Sequence, residues 1–321
     1  MRGSGLLLLS LPALLAAAQP TATATGMSLA TPDGFTLKGT FTVPGQPGPR
    51  PVVILAHQFG ADRDGWKVLA DELNARGIAT LALDLRGHGA STAKGGATVT
   101  VTADFMASSA AVGFDRIPGD LLQAAQWVRR QPRIDGRRLG LAGSSLGAYA
   151  ALAAAPSIHP VAILALSPAG GWGDQPGPRI ARAVEEAKAS VFVVAAEGDA
   201  DAMANVNAIK GRLGVYARIA PGQEHGFAYL PALKDMLAGW FSETLGRHSG
   251  TPESAKAREP AKPEARTEPK PEAEAKVKPE AKAKVKPEAK AKVQPEAKAK
   301  VQPEAKAKVQ PEATMPTEEI N

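Results

Sequence analysis

The sequence predicts an α/β fold: a mostly parallel sheet with helices on both faces and antiparallel strands at its N-terminal edge. Three observations carry that prediction. Between about residues 50 and 246, apolar runs of strand length alternate with stretches of helical spacing. That order implies right-handed crossovers between parallel strands. The apolar runs are continuous, as strands buried on both faces are. Ahead of them, two short alternating runs flank Asp33-Gly34, a hairpin signal that places antiparallel strands at one edge.

Each element has its own justification. "PVVILAH", residues 51–57, reads as the first buried strand. "DGWKVLADELNARG" carries Trp66, Leu69, Ala70 and Leu73 at helical spacing and stops at Gly77. "IATLALDL" is the next strand. "DLLQAAQWVRRQ" is a helix, "RRLGLAG" a strand and "SLGAYAALAAA" a helix. "VAILALS", "SVFVVAAEG" and "VYARIAP" are further strands. "RIARAVEEAKA" and "ALKDMLAGWFSETLG" are amphipathic helices, the second closing the domain. Residues 89–119 show no clear period and read as a long loop. Phe105, Met106 and Phe114 in it either line a site or dock the loop on the body.

Composition separates three parts. Residues 1–24 read as a secretory leader. Arg2 precedes an apolar run, Leu6 to Ala18, which Pro12 interrupts and which is shorter than the ~20 residues of a membrane span. Cleavage fits after Ala18 or after Ala24, leaving a mature chain without a transmembrane segment. Residues 25–248 form the globular domain. Residues 249–321 lack Trp, Phe and Tyr and repeat "PEAKAKVK" and "PEAKAKVQ", with prolines eight apart from 271 to 311. Proline at that spacing cuts the helix ladder, and little is apolar, so the tail is expected to be disordered. The net charge of +6 divides evenly between tail and body. That is too weak a field on the body to indicate a nucleic-acid partner. The chain has no cysteine, so disulfides and thiolate chemistry are excluded.

"GSSLG", residues 143–147, falls where a strand runs straight into a helix. Glycines there relieve the crowding of a sharp turn and expose the central hydroxyl, Ser145, at a helix N-terminus. Ser144 is its bland neighbour. A serine needs a base, and five histidines are available. His225, in "PGQEHGFAYL", follows the last strand and so lies on the rim that carries Ser145. His57, His88, His159 and His248 read as structural. The acid that orients the imidazole belongs on the loop after "SVFVVAA". Asp199 is preferred there; Asp201 is the alternative, and otherwise reads as solvated or as a cap for a helix near Met203; Glu197 is third. Two amides must face the oxyanion: Leu146, by position, and Phe59, from the loop after the first long strand.

Together these residues resemble the α/β-hydrolase family, more narrowly its dienelactone-hydrolase-like and small serine esterase members. The resemblance covers about residues 30–246 and rests on "HQFG", "DLRGHGAS", "GSSLG", "EGDADA" and "EHGF". It departs at Gln58, where the family more often has glycine, and at Ser145, where dienelactone hydrolases proper have cysteine. The short stretch between Ser167 and Ser190 leaves no room for a large lid domain. The resemblance implies an α/β-hydrolase fold and hydrolysis of an ester or thioester through an acyl-enzyme, with no metal or organic cofactor. The resulting expectation is an exported serine hydrolase of periplasm, envelope or medium, acting on a small acyl substrate. The alternatives are a peptidase of the same fold and a non-catalytic envelope protein whose basic tail binds an anionic polymer.

Overall fold

The computed structural model describes residues 21–172 and 175–248. Most of the expected leader and all of the expected tail lie outside the described residues. Ten strands form, in chain order, β1 Thr23–Ala30, β2 Thr36–Val43, β3 Arg50–Ala56, β4 Ala79–Leu83, β5 Ala93–Lys94, β6 Ala97–Thr98, β7 Ile134–Ser144, β8 Ala162–Leu166, β9 Ser190–Ala196 and β10 Val215–Ala220. The helices are α1 Lys67–Ala75, α2 Phe105–Val112, α3 Ile117–Arg129, α4 Leu146–Ile158, α5 Pro176–Ala187, α6 Ala200–Ile209 and α7 Leu230–Gly246.

Eight strands make one sheet in the order β1-β2-β4-β3-β7-β8-β9-β10. The hairpin β1–β2 is antiparallel, β2 meets β4 antiparallel, and every later pair is parallel. Alternate residues of the parallel strands face opposite sides, as the period of two requires. Val53, Leu55 and Ala142 pack with Leu69 and Leu73 of α1 and Leu237 and Phe241 of α7. Val52, Ile54, Leu139 and Leu141 join the second core, under α3, α4, α5 and α6. Between β8 and β9 the described residues hold one helix, α5, and no lid domain.

The register levels the strand ends that matter. Ala56 of β3 pairs with Leu83 on one side and Gly143 on the other, and Ser144 pairs with Leu166. The chain steps from β3 to β4 in one direction and later to β7 in the other. A crevice therefore opens at the carboxyl ends of β3 and β7, the usual place for a ligand in a sheet of this kind.

One expectation is corrected. Residues 89–119 are not one loop. They hold the small hairpin β5–β6 and α2, which Asp104 caps through the Ala107 amide (2.9 Å) and Gly113 ends at φ +74°. Helix α2, "FMASSAAV", mixes alanine and serine with apolar residues that do not recur at helical spacing, so it offers no period to read. Met106 on it is 72% exposed. The β1–β2 pairing begins at Thr23, where Thr23 and Ala24 meet Val43 and Thr42.

One buried ion cluster fixes this region to the body. Arg86, after β4, is fully buried and its Nε and Nη2 donate to Asp120 of α3, both at 2.7 Å. Its Nη1 donates to Asp33 in the β1–β2 turn (2.9 Å) and to the Val112 carbonyl that ends α2 (3.0 Å). A buried guanidinium held by two carboxylates is tolerated because nearly every donor is matched.

Candidate active site

The sharpest turn of the chain lies between β7 and α4. Ser145 has φ +51° and ψ −113°, a strained backbone for a residue with a side chain. The surroundings hold it there: its amide donates to Leu166 O (2.8 Å) and its carbonyl accepts from Tyr149 N (3.0 Å). The flanking glycines answer a close approach. A Cβ at Gly143 would strike Gly147 O and the Ala148 backbone, and one at Gly147 would strike the Ala56 and His57 carbonyls. So α4 can start against the end of β3 only if both positions lack a side chain. Ser145 is half-buried, Ser144 fully buried. Leu146 is the first residue of α4, whose opening amides have no acceptor within the helix.

His225 follows β10, on the same rim. Its Nδ1 lies 2.7 Å from Asp199 Oδ2, with the imidazole 38% exposed and the carboxylate 8%. Asp199 also caps α6, its Oδ1 accepting from the Ala202 amide at 3.3 Å. Of the two readings of Asp201, cap or solvated, the structure has the solvated one, and Asp199 makes the cap. Asp201 sits exposed in the first turn of α6, and Glu197 is exposed on the loop. With Nδ1 committed to the acid, Nε2 is the ring nitrogen left to exchange a proton with a hydroxyl.

The base loop is pinned residue by residue. Gly226 N donates to Ser167 Oγ (3.0 Å) and Phe227 N to Gln58 Oε1 (3.0 Å). The Phe227 ring packs edge-on against Trp66 at 5.0 Å. Gly226 has φ +57°, and a Cβ there would strike Gln58 Oε1 and stand 2.6 Å from Ser144 Oγ. The serine turn and the histidine loop therefore meet side by side.

Phe59 follows β3 on this rim. Its amide shares a rigid peptide plane with the Gln58 carbonyl. That carbonyl accepts from His57 Nδ1 (2.7 Å) and Ala61 N (3.2 Å), so the opposite edge, Phe59 N–H, has a fixed direction. His57 is itself locked, Nε2 accepting from Leu85 N at 2.9 Å. Burial pushes its imidazole down to about 3, and it stays neutral. His88 is buried beside it, His159 ends α4 and His248 bonds back to Thr244 O. The ring of Phe59 packs edge-on against Phe105 (5.2 Å) and Phe114 (5.8 Å), and Phe114, fully buried, docks its segment on the body. Among the described residues no group of three His, Asp or Glu could hold a metal ion, and no helix is long and apolar enough to cross a membrane.

The site thus joins Asp199 to His225, and Gln58 to Ser144 and Phe227, on the rim where Ser145 makes its turn. Gln58 was visible in the sequence only as a departure from glycine. Ser167, at φ +42° after β8, gave no signal at all.

Comparison with known proteins agrees with this architecture. Residues 47–205 match the family described as serine aminopeptidase, S33. No curated protein sequence matches the chain. Among solved structures, dienelactone hydrolase from Anabaena variabilis is 21% identical, with 71% of this chain and 98% of that one covered, at a TM-score of 0.51. The Pyrococcus furiosus esterase Pf2001 is 16% identical over 70% and 92% of the two chains, at 0.53. Est1E from Butyrivibrio proteoclasticus, solved with ferulic acid bound, is 17% identical over 68% and 99%, at 0.55. The sheet order, the serine turn and these likenesses define the class by its fold: the chain has the α/β-hydrolase fold, and its structural neighbours include a dienelactone hydrolase and esterases.

Proposed function

We propose that this chain is an exported serine hydrolase that cleaves a carboxylic ester or thioester through an acyl-enzyme. The observation that carries the reading is the His225–Asp199 contact at 2.7 Å on the rim where the strained Ser145 turn stands. Ser145 Oγ attacks the acyl carbon while His225 Nε2 takes its proton. Asp199 holds the ring and favours the imidazolium that forms. The Leu146 and Phe59 amides donate to the developing oxyanion, as a helix start and a fixed peptide plane allow. His225 returns the proton to the leaving alcohol or thiol, and the C–O or C–S bond breaks. A water, deprotonated by the same imidazole, then releases the acid. No step calls for a metal or organic cofactor. The half-buried rings of Phe59 and Phe105 suit a small or medium acyl substrate.

The match to a serine aminopeptidase family favours one second reading, cleavage of an N-terminal peptide bond by the same residues. Turnover of a p-nitrophenyl ester series, set beside aminoacyl p-nitroanilides, separates the two. Ester turnover is expected, falling at least about a thousand-fold in Ser145→Ala. Anilide turnover alone would favour the peptidase. Equal ester rates in wild type and Ser145→Ala would remove the triad.

Export follows from the leader. Cleavage after Ala18 leaves β1 whole, whereas cleavage after Ala24 would remove two residues of its pairing with β2. N-terminal sequencing of the exported protein tests this, with Gln19 expected first. In this reading the tail retains the enzyme at an anionic envelope polymer and takes no part in the chemistry.

A further inference from the structure

Gln58 stands where three pieces of the site join. It follows β3, precedes Phe59 and reaches across to both the serine turn and the histidine loop. Its Oε1 accepts from Ser144 Oγ at 2.9 Å and from Phe227 N at 3.0 Å. Its own carbonyl is held by His57 Nδ1 and Ala61 N. Both ends of the residue are therefore tied, and glycine at this position could make only the backbone half of those ties.

The partners explain why an acceptor of this length is needed. Ser144 is fully buried, between the two glycine-dependent close approaches of the turn. Its hydroxyl and the Phe227 amide converge on the one oxygen of Gln58. Gly226, between His225 and Phe227, is the matching half: a Cβ there would occupy the space of that oxygen. Residue 58 thus fills the gap that the lack of a side chain at residue 226 leaves open. The same residue positions a proposed oxyanion donor, through its carbonyl, and the base loop, through its side chain.

We infer that Gln58 is a positioning residue: its carboxamide oxygen, shared between Ser144 Oγ and Phe227 N, locks the His225 loop to the oxyanion loop and sets the imidazole for proton transfer. This rests on the acyl-enzyme reading above and adds a residue to it. Gln58 touches no reacting atom. Its effect falls on the alignment of the base, to which rate is far more sensitive than substrate affinity is. Losing the acceptor leaves two inward-facing donors unmatched, and the loop must shift to satisfy them.

The test is steady-state ester kinetics on the full chain, with Gln58→Met and Gln58→Glu. Methionine keeps the length and removes the acceptor. Glutamate keeps both accepted bonds and adds a charge. Gln58→Met is expected to lower kcat about 10- to 100-fold with KM changed less than about 3-fold. Gln58→Glu is expected to recover most of that rate and to move the acid limb of the pH profile upward, because a carboxylate near His225 favours the imidazolium. Wild-type kcat in Gln58→Met would overturn the proposal. So would an equal loss in both variants with an unmoved acid limb, since side-chain identity and not acceptance would then be at stake. If Gln58→Met does not fold, Gln58→Asn poses the same question, being one methylene too short to reach. It is expected to lose rate like methionine, and wild-type kcat in it contradicts the proposal. Failure of the parent reading looks different: Ser145→Ala would keep its ester turnover. A dead Ser145→Ala beside a fully active Gln58→Met removes only the role of Gln58.

Discussion

Asp199 does two jobs with two oxygens. Oδ2 meets His225 Nδ1, and Oδ1 caps α6 through Ala202 N. The cap orients the carboxylate without consuming the oxygen that faces the imidazole. Asp199→Asn is therefore expected to keep the fold and much of the cap, yet reduce kcat by about 10⁴-fold, because the amide no longer favours the required tautomer. Asp201→Asn is expected to leave kcat within about 2-fold, since surface changes away from such features are small. Matched losses in both variants would contradict the assignment. Position in the sequence favoured Asp199 over Asp201 without excluding the second, because both follow β9 closely. The long-range approach of His225, 26 residues away, falls on Asp199, while Asp201 lies within α6.

At the scale of elements, what the sequence displays well is periodicity. The continuous apolar runs of β3, β4, β7, β8 and β9 and the Gly-fenced turn before α4 were legible because local pattern and tertiary burial agree there. Helix α2 was not legible, although Asp104 and Gly113 mark its ends, because its small residues carry no period. Contacts between distant segments left no trace either, as with Arg86 against Asp33 and Asp120, or Gln58 against Phe227. The His57 bridge from β3 to Leu85, just past β4, is one such contact and has a measurable consequence. Burial holds its imidazole near 3 in the folded protein against 6.5 when unfolded. Between those values the unfolded chain binds the extra proton, so stability falls as pH drops from about 6.5 toward 3. Burial pushes His88 down as well, in the same sense. Urea midpoints between pH 7 and 5 should decline, and His57→Gln should flatten the slope. An equal slope in both proteins would contradict the account.

For the molecule as a whole, the sheet acts as a frame that levels loops from β3, β7, β9 and β10 on one rim. The two cores on its faces keep that rim rigid, and rigidity is what a preorganised oxyanion site and a strained serine require. The residues assigned to the chemistry all lie between 59 and 225, so deletion of residues 249–321 should leave the chemistry unchanged. The most direct measurement is labelling of the full chain, and of a chain ending at His248, by a fluorophosphonate probe, followed by mass mapping of the modified residue. The account predicts a single adduct on Ser145 in both, formed at the same rate, absent in Ser145→Ala and strongly slowed in His225→Ala. An adduct on another residue, or no adduct on the folded protein, would contradict it.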